Sequence, residues 1–131
     1  LHIANEVSKL MNKKHIHIEN ANILIMGLAF KENCPDHRNT RVIDLVKVFE
    51  SSNCSVDVYD PWVNKNQAAD EYNIELIDKP IKDNYDAIII AVKHDEFKEL
   101  TEDQFRAFGK DNHVLYDIKY LLKANESDGR L

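Results

Sequence analysis

The sequence predicts an α/β fold: a Rossmann-like open parallel sheet of about five strands, with helices on both faces. Three observations predict it. Short apolar runs alternate with amphipathic helical patterns along the chain, as strands joined by right-handed crossovers require. Two runs, at 23–26 and 87–92, are apolar at consecutive positions, which suits parallel strands covered on both sides. The first run ends at Gly27 and enters a loop carrying Phe30, Lys31 and Arg38 before the next helix begins. In open α/β sheets such loops, beyond the carboxyl ends of the strands, hold the ligand.

The 131 residues fit one domain around one core. With 44% hydrophobic and 31% charged residues, the balance is that of a globular chain. No apolar run approaches the roughly 20 residues that span a bilayer, and no secretory leader is visible, so no membrane partner is expected. A net charge of -6 argues against nucleic acid as a partner, while leaving room for a small anion held by a few local cations. Cys34 and Cys54 form no CxxC pair and read as free thiols in a reducing compartment, which predicts a cytoplasmic location. Leu1 stands where a Met would begin a complete chain, so the sequence reads as a piece of a longer one.

Each element has its own reason. Residues 1–14 read as the end of a linking helix, because Ile3, Val7, Leu10 and Met11 recur at helical spacing and Lys13 and Lys14 suit its negative end. Residues 15–18 read as a short linker because 19–22 is turn-like, and His15 and His17 lack an acidic or cysteine partner at ligand spacing, so they are not read as a metal site. The first strand is 22–27. A helix follows at 40–51, with Val42, Ile43, Val46 and Phe49 as its buried stripe and Asn39 or Thr40 as cap. After a strand at 55–59, Asp60 is expected to cap a helix that has Pro61 in its first position and runs to about Tyr72. Residues 73–77 read as a short third strand near an edge, and 85–92 as the central strand. A helical turn at 96–100 precedes a helix at 101–109 with a capping box of Thr101 and Gln104. The last strand is 114–117, followed by a short helical stretch at 120–123 and a polar, mobile tail at 125–131.

The strand exits at Lys31, Lys93 and Lys119 put cations at one sheet edge, where they suit a phosphorylated or diphosphate ligand. The G-x-G-x-x-G fingerprint is absent after Gly27. Taken singly, each residue keeps two readings. Lys31 and Lys119 are solvated lysines or phosphate contacts. Arg38 pairs with Asp36 or Glu32, or its fork meets a pyrophosphate. Phe30 is a core residue or a stacking platform. His94 reads as a structural polar contact rather than a proton shuttle. Cys34 has no positioned base, and neither a nucleophile triad nor a carboxylate pair is legible, so no catalytic residue is assigned.

The stretch G-L-A-F-K-E-N-C-P-D-H-R-N-T at 27–40, followed by V-D-V-Y-D-P at 56–61, closely resembles the C-terminal domain of the UDP-glucose/GDP-mannose dehydrogenase family. A-V-K-H-D-E-F at 91–97 and L-Y-D-I-K at 115–119 extend the resemblance over nearly the whole chain. The form F-K-E-N-C-P-D-H-R-N-T looks most like the branch acting on UDP-N-acetylhexosamines in surface polysaccharide synthesis. The resemblance implies an enzyme that oxidises the C6 alcohol of a nucleotide sugar to a carboxylate in two NAD-dependent steps. It implies that NAD is held mainly by an N-terminal domain outside this chain, that a long central helix, of which 1–14 are the trailing end or the helix just after it, builds a homodimer, and that 15–131 hold the UDP-sugar. Phe30 and Lys31 match the family's substrate-contacting pair. Arg38 matches the arginine that reaches NAD across the cleft. Lys119 stands where some members carry a substrate-binding arginine, which keeps the charge and loses the fork. The family's catalytic cysteine, lysine and aspartate lie outside this chain, and Cys34 does not match that cysteine, so the piece alone is expected to be inactive. The competing expectation is a stand-alone nucleotide-binding or dimerisation module without redox chemistry.

Overall fold

The computed structural model describes residues 2–131. Five strands form one parallel sheet in the order β2-β1-β3-β4-β5: β1 is Asn22–Met26, β2 Ser55–Tyr59, β3 Tyr85–Ile90, β4 Gly109–Asp117 and β5 Gly129–Arg130. Around them lie α1 (His2–Lys13), α2 (Thr40–Ser51), α3 (Lys65–Tyr72) and the short α4 (Asp95–Lys98) and α5 (Glu102–Arg106). The chain leaves β1 towards β2 on one side, and β3 lies on the other, so the order reverses at β1. That reversal is where ligands bind in this architecture.

The twofold alternation of strand side chains divides the core. Ile23, Ile25, Ala87, Ile89, Val114 and Tyr116 pack with Val7 and Met11 of α1 and with Val42, Leu45 and Phe49 of α2. Leu24, Met26, Ile88, Ile90 and Leu115 point the other way, against Phe97 of α4 and Phe105 of α5. All six residues of β3 are buried, as its unbroken apolar run requires. Each of its isoleucines contributes about 1.5–3 kcal/mol by leaving water.

Several expectations are corrected. Asp60 does not cap a helix at Pro61: residues 61–63 form a turn, and α3 begins at Lys65 with Asn64 as its cap. The expected strand at 73–77 reduces to a single bridge between Val58 and Leu76, because the chain turns away after Ile77 donates to the Val58 carbonyl. The helix at Thr101 has the expected capping box but ends at Arg106 rather than Gly109. Gly109 instead opens β4, which is therefore longer than the expected 114–117. No helix forms at 120–123; Tyr120 takes a left-handed φ of 58°, and the helical turn falls at Ala124–Glu126. Of the helix expected at 1–14, His2–Lys13 forms α1, and Leu1 lies outside the described residues.

The tail is not loose. Gly129–Arg130 pairs with β4 as the fifth strand. Asp128 fastens it: its carboxylate accepts from the Leu115 N–H at 2.7 Å and pairs with Arg106 and Lys14, each at 3.2 Å. Burial raises the Asp128 pKa, but the Leu115 N–H and Arg106 outweigh that, and it lies below the ordinary carboxylate value. Asp128→Ala is therefore expected to cost about 2–4 kcal/mol in urea unfolding and to speed hydrogen exchange at the Leu115 amide. A loss below about 0.5 kcal/mol, the range of a neutral surface change, contradicts this role.

Candidate functional site

The strand exits converge on the loop that follows β1. Gly27 has φ of 114°, and a Cβ there would stand 2.6 Å from Val92 Cβ and 2.9 Å from Val92 N. Only glycine lets the chain leaving β1 pass this close to the chain leaving β3. The next two N–H groups, of Leu28 and Ala29, donate to Asp60 Oδ2 at 2.7 and 2.8 Å. Asp60 Oδ1 accepts from the Trp62 N–H at 2.8 Å. His94, fully buried, completes the set with Nε2 at 3.0 Å from Asp60 Oδ2.

The proton on His94 is fixed by its other nitrogen. Nδ1 accepts the Asn33 N–H at 2.9 Å, so Nε2 carries the hydrogen and donates to Asp60. Asn33 in turn accepts from the Asp95 N–H through Oδ1 at 3.0 Å. The loop also closes on itself, with the Phe30 N–H on the Asp36 carbonyl at 2.6 Å. Asn39 links it to α2: Nδ2 donates to the Ala29 carbonyl at 3.1 Å, and Oδ1 accepts from the Val42 N–H at 3.3 Å.

Asp117 does the same for the exit of β4. Its Oδ1 accepts from the N–H groups of Lys119 and Leu121, both at 3.2 Å, and Oδ2 from Leu122 at 2.8 Å. The Ile118 N–H reaches the Ile90 carbonyl at 3.0 Å, which ties this exit to that of β3.

Between these pinned exits lies a hollow of about 250 Å³ lined by Phe30, Thr40, Arg41, Ala91, Ile118 and Lys119, among others. The structure thus brings Phe30 and Lys119 together, and Phe30 is 61% exposed rather than part of the core. Lys31 is exposed and adjacent in sequence to Phe30, but is not among the lining residues. Arg38 is not among them either. Its Nε and Nη2 grip the Asp36 carboxylate at 2.9 Å each, which holds the Asp36 pKa down at about 2. That pair lies towards α3, where His37 meets Glu71 at 2.9 Å. Glu32 is held below its ordinary pKa by its own backbone N–H first, and then by the nearby Lys98, Lys119 and Lys93.

Sequence reasoning missed three residues. Asp60 and Asp117 are loop anchors, readable only once the strand exits are known to converge. Arg41 is a cation in the first turn of α2, at the positive end of the helix dipole, where it costs about 0.3–1 kcal/mol. That misplacement is the signal that could have drawn notice to it. A second hollow, of about 210 Å³, is lined by Ile3, Leu45 and Leu131 with His2, Arg41 and Asp44, and has no cation from a strand exit. Among the described residues, no group of three or more His, Cys, Asp or Glu side chains could hold a metal ion, and no helix is long and apolar enough to cross a membrane.

Residues 24–124 match the UDP-binding domain of the UDP-glucose/GDP-mannose dehydrogenase family. Proteins named UDP-N-acetyl-D-glucosamine 6-dehydrogenase from Salmonella typhi and Pseudomonas aeruginosa are each 48% identical over 130 residues, 99% of this chain. The chain spans 31% of the length of those relatives. Protein CapL of Staphylococcus aureus is 33% identical over 125 residues, 95% of this chain and 29% of its own length. Among solved structures, an NDP-N-acetyl-D-galactosaminuronic acid dehydrogenase from Methanosarcina mazei superposes over 95% of this chain and 26% of its own, with a TM-score of 0.82 at 22% identity. At that identity the likeness concerns the fold.

The Asp60 cluster yields a prediction with a definite sign. Burial alone raises the Asp60 pKa; the donors on His94, Leu28 and Ala29 outweigh it, and the carboxyl sits below its ordinary value. A carboxyl lowered on folding stabilises the fold above its unfolded pKa of about 4, and that contribution is lost as pH falls through the lower, folded value. Asp60→Asn is expected to cost about 2–4 kcal/mol at neutral pH and to flatten the loss of stability below about pH 4. Denaturation series from neutral to acid pH, showing the same slope in variant and parent, would contradict it.

Proposed function

The chain belongs to the UDP-glucose/GDP-mannose dehydrogenase family, and from that premise we propose that it is the UDP-sugar-binding domain of an NAD-dependent nucleotide-sugar 6-dehydrogenase. The substrate is a UDP-N-acetylhexosamine, whose C6 alcohol is oxidised to a carboxylate for surface polysaccharide synthesis. The observation that carries this reading is the likeness, along almost the full chain, to proteins named for that reaction. The hollow at the strand exits supports it, since an exposed aromatic beside a free lysine suits a ligand with both a ring and phosphoryl groups.

Taking an alcohol to a carboxylate removes four electrons, which leave as two hydrides, and water supplies the second oxygen. NAD supplies the hydride acceptor when bound, one molecule for each two-electron step. This chain lacks the glycine fingerprint that seats a dinucleotide, so most of the NAD contacts and the catalytic groups belong to the rest of the polypeptide. Here the residue for NAD is Arg38: two of its nitrogens are committed to Asp36, which orients the guanidinium, and Nη1 is left for a ligand. Phe30 packs against the nucleotide or sugar, while Lys31 and Lys119 offset the diphosphate charge. A charge-assisted contact contributes about 1.5–3 kcal/mol, and about 4 kcal/mol separate a millimolar from a micromolar ligand, so two such contacts decide whether the nucleotide is held. The linking helix α1 fits a homodimer of the intact enzyme, and the free thiols of Cys34 and Cys54 fit the cytoplasm.

The test is a substrate panel on the intact polypeptide. Two NADH are expected per UDP-N-acetylhexosamine consumed; no NADH from any UDP-sugar overturns the reading. Lys31→Ala is expected to raise KM for the nucleotide sugar about tenfold, and an unaltered KM counts against its assignment. Arg38→Ala is expected to raise KM for NAD more than KM for the sugar; the opposite order removes Arg38 from the NAD side.

A further inference from the structure

Arg41 stands apart from the other arginines of the chain. Arg38 grips Asp36, Arg106 holds Glu102 and Asp128, and Arg130 lies over the Tyr120 ring at 4.0 Å. Arg41 makes no hydrogen bond, ion pair or ring contact among the described residues, and Asp44, one turn along α2, is out of ion-pair reach. It lines the same hollow as Lys119 and Phe30. As the second residue of a twelve-residue helix, it holds a positive charge at the positive end of the helix dipole. The N–H groups of Thr40 and Arg41 also have no partner among the described residues, since the Asn39 cap takes those of Val42 and Ile43. An exposed arginine without a protein partner among the described residues, in an unfavourable field and on the wall of a cleft that also holds Lys119, is placed to take an anion.

We infer that Arg41 is a phosphoryl-binding residue of this site, taking two oxygens of the nucleotide diphosphate with its planar fork while Lys119, from the exit of β4, supplies a point charge. This rests on the nucleotide-sugar reading above and adds to it the residue that distinguishes a diphosphate from a monophosphate. The chemistry divides the work: a lysine ammonium neutralises one oxygen at a time, whereas a guanidinium spans two adjacent ones.

The experiment is calorimetric binding of UDP and UMP to the intact dehydrogenase polypeptide, unaltered and as Arg41→Gln and Arg41→Lys. The unaltered protein is expected to prefer UDP over UMP. Arg41→Gln is expected to narrow that preference about tenfold, and Arg41→Lys to restore only part of it. Without ligand, Arg41→Gln is expected to melt at or above the unaltered protein, because it removes a charge the helix dipole opposes. An unchanged UDP-to-UMP ratio in Arg41→Gln, full restoration by lysine, or a lowered melting temperature each overturns the inference. Failure of the unaltered protein to bind UDP at all overturns instead the reading on which it rests.

Discussion

The carboxylate of Asp60 takes four hydrogen bonds in a place closed to water, from the Leu28, Ala29 and Trp62 N–H groups and from His94. A buried charge without such partners costs several kcal/mol, and each donor left without its acceptor costs about 1–3 more. The arrangement is therefore close to all-or-none. It joins the exits of β1, β2 and β3, since its members come from the end of each strand. The position of Phe30, one residue beyond the second of these donors, follows from it. His94 extends the constraint to Asn33, so the loop is held at its start and again part-way along.

A second carboxylate repeats the device on the far side of β3. Asp117 is fully buried at the end of β4 and gathers the N–H groups of residues 119, 121 and 122. It imposes the turn in which Tyr120 takes its left-handed φ, and it leaves the Lys119 side chain at the rim. Between these two anchors the sheet order opens a crevice beside β1, and α2 begins there. A protein with a net charge of -6 thus gathers Arg41 and Lys119 on the wall of one hollow. Fold and function meet here. Phe30, Ala91 and Ile118 shape the hollow, buried carboxyl side chains fix the loops at its walls, and Arg41 and Lys119 stand at its rim.

Much of the scaffold was legible because its signals are local. The apolar runs at β1 and β3 and the capping box at Thr101 were unambiguous, and the cap of α2 was narrowed to Asn39 or Thr40, of which the fold uses Asn39. What was lost depends on partners far along the chain. Asp60 followed by Pro61 has the local form of a helix start, and only the return of Leu28 and His94 turns its carboxylate inward. The tail read as mobile because its polar residues have no nearby partner; Asp128 finds them in Leu115, Arg106 and Lys14. Residues 73–77 have strand composition, yet a single bridge to β2 is all the geometry permits. In the site, Phe30 and Lys119 could be placed at one edge from strand order alone. Lys31 was placed there by the same strand exits and stands exposed beside Phe30; Arg38 was drawn to the edge by motif, and the fold sets it towards α3, gripping Asp36. Arg41 carried no motif and was visible only as a charge on the wrong end of a helix.

The proposed nucleotide site lies where the exits of β1 and β4 meet the start of α2. Titrating UDP into the isotope-labelled chain and following its amide resonances addresses this directly. The largest shifts are expected at Phe30, Thr40, Arg41, Ile118 and Lys119. Shifts centred instead on the hollow between α1 and α2, at Ile3, Leu45 and Leu131, with the strand exits unmoved, would contradict it.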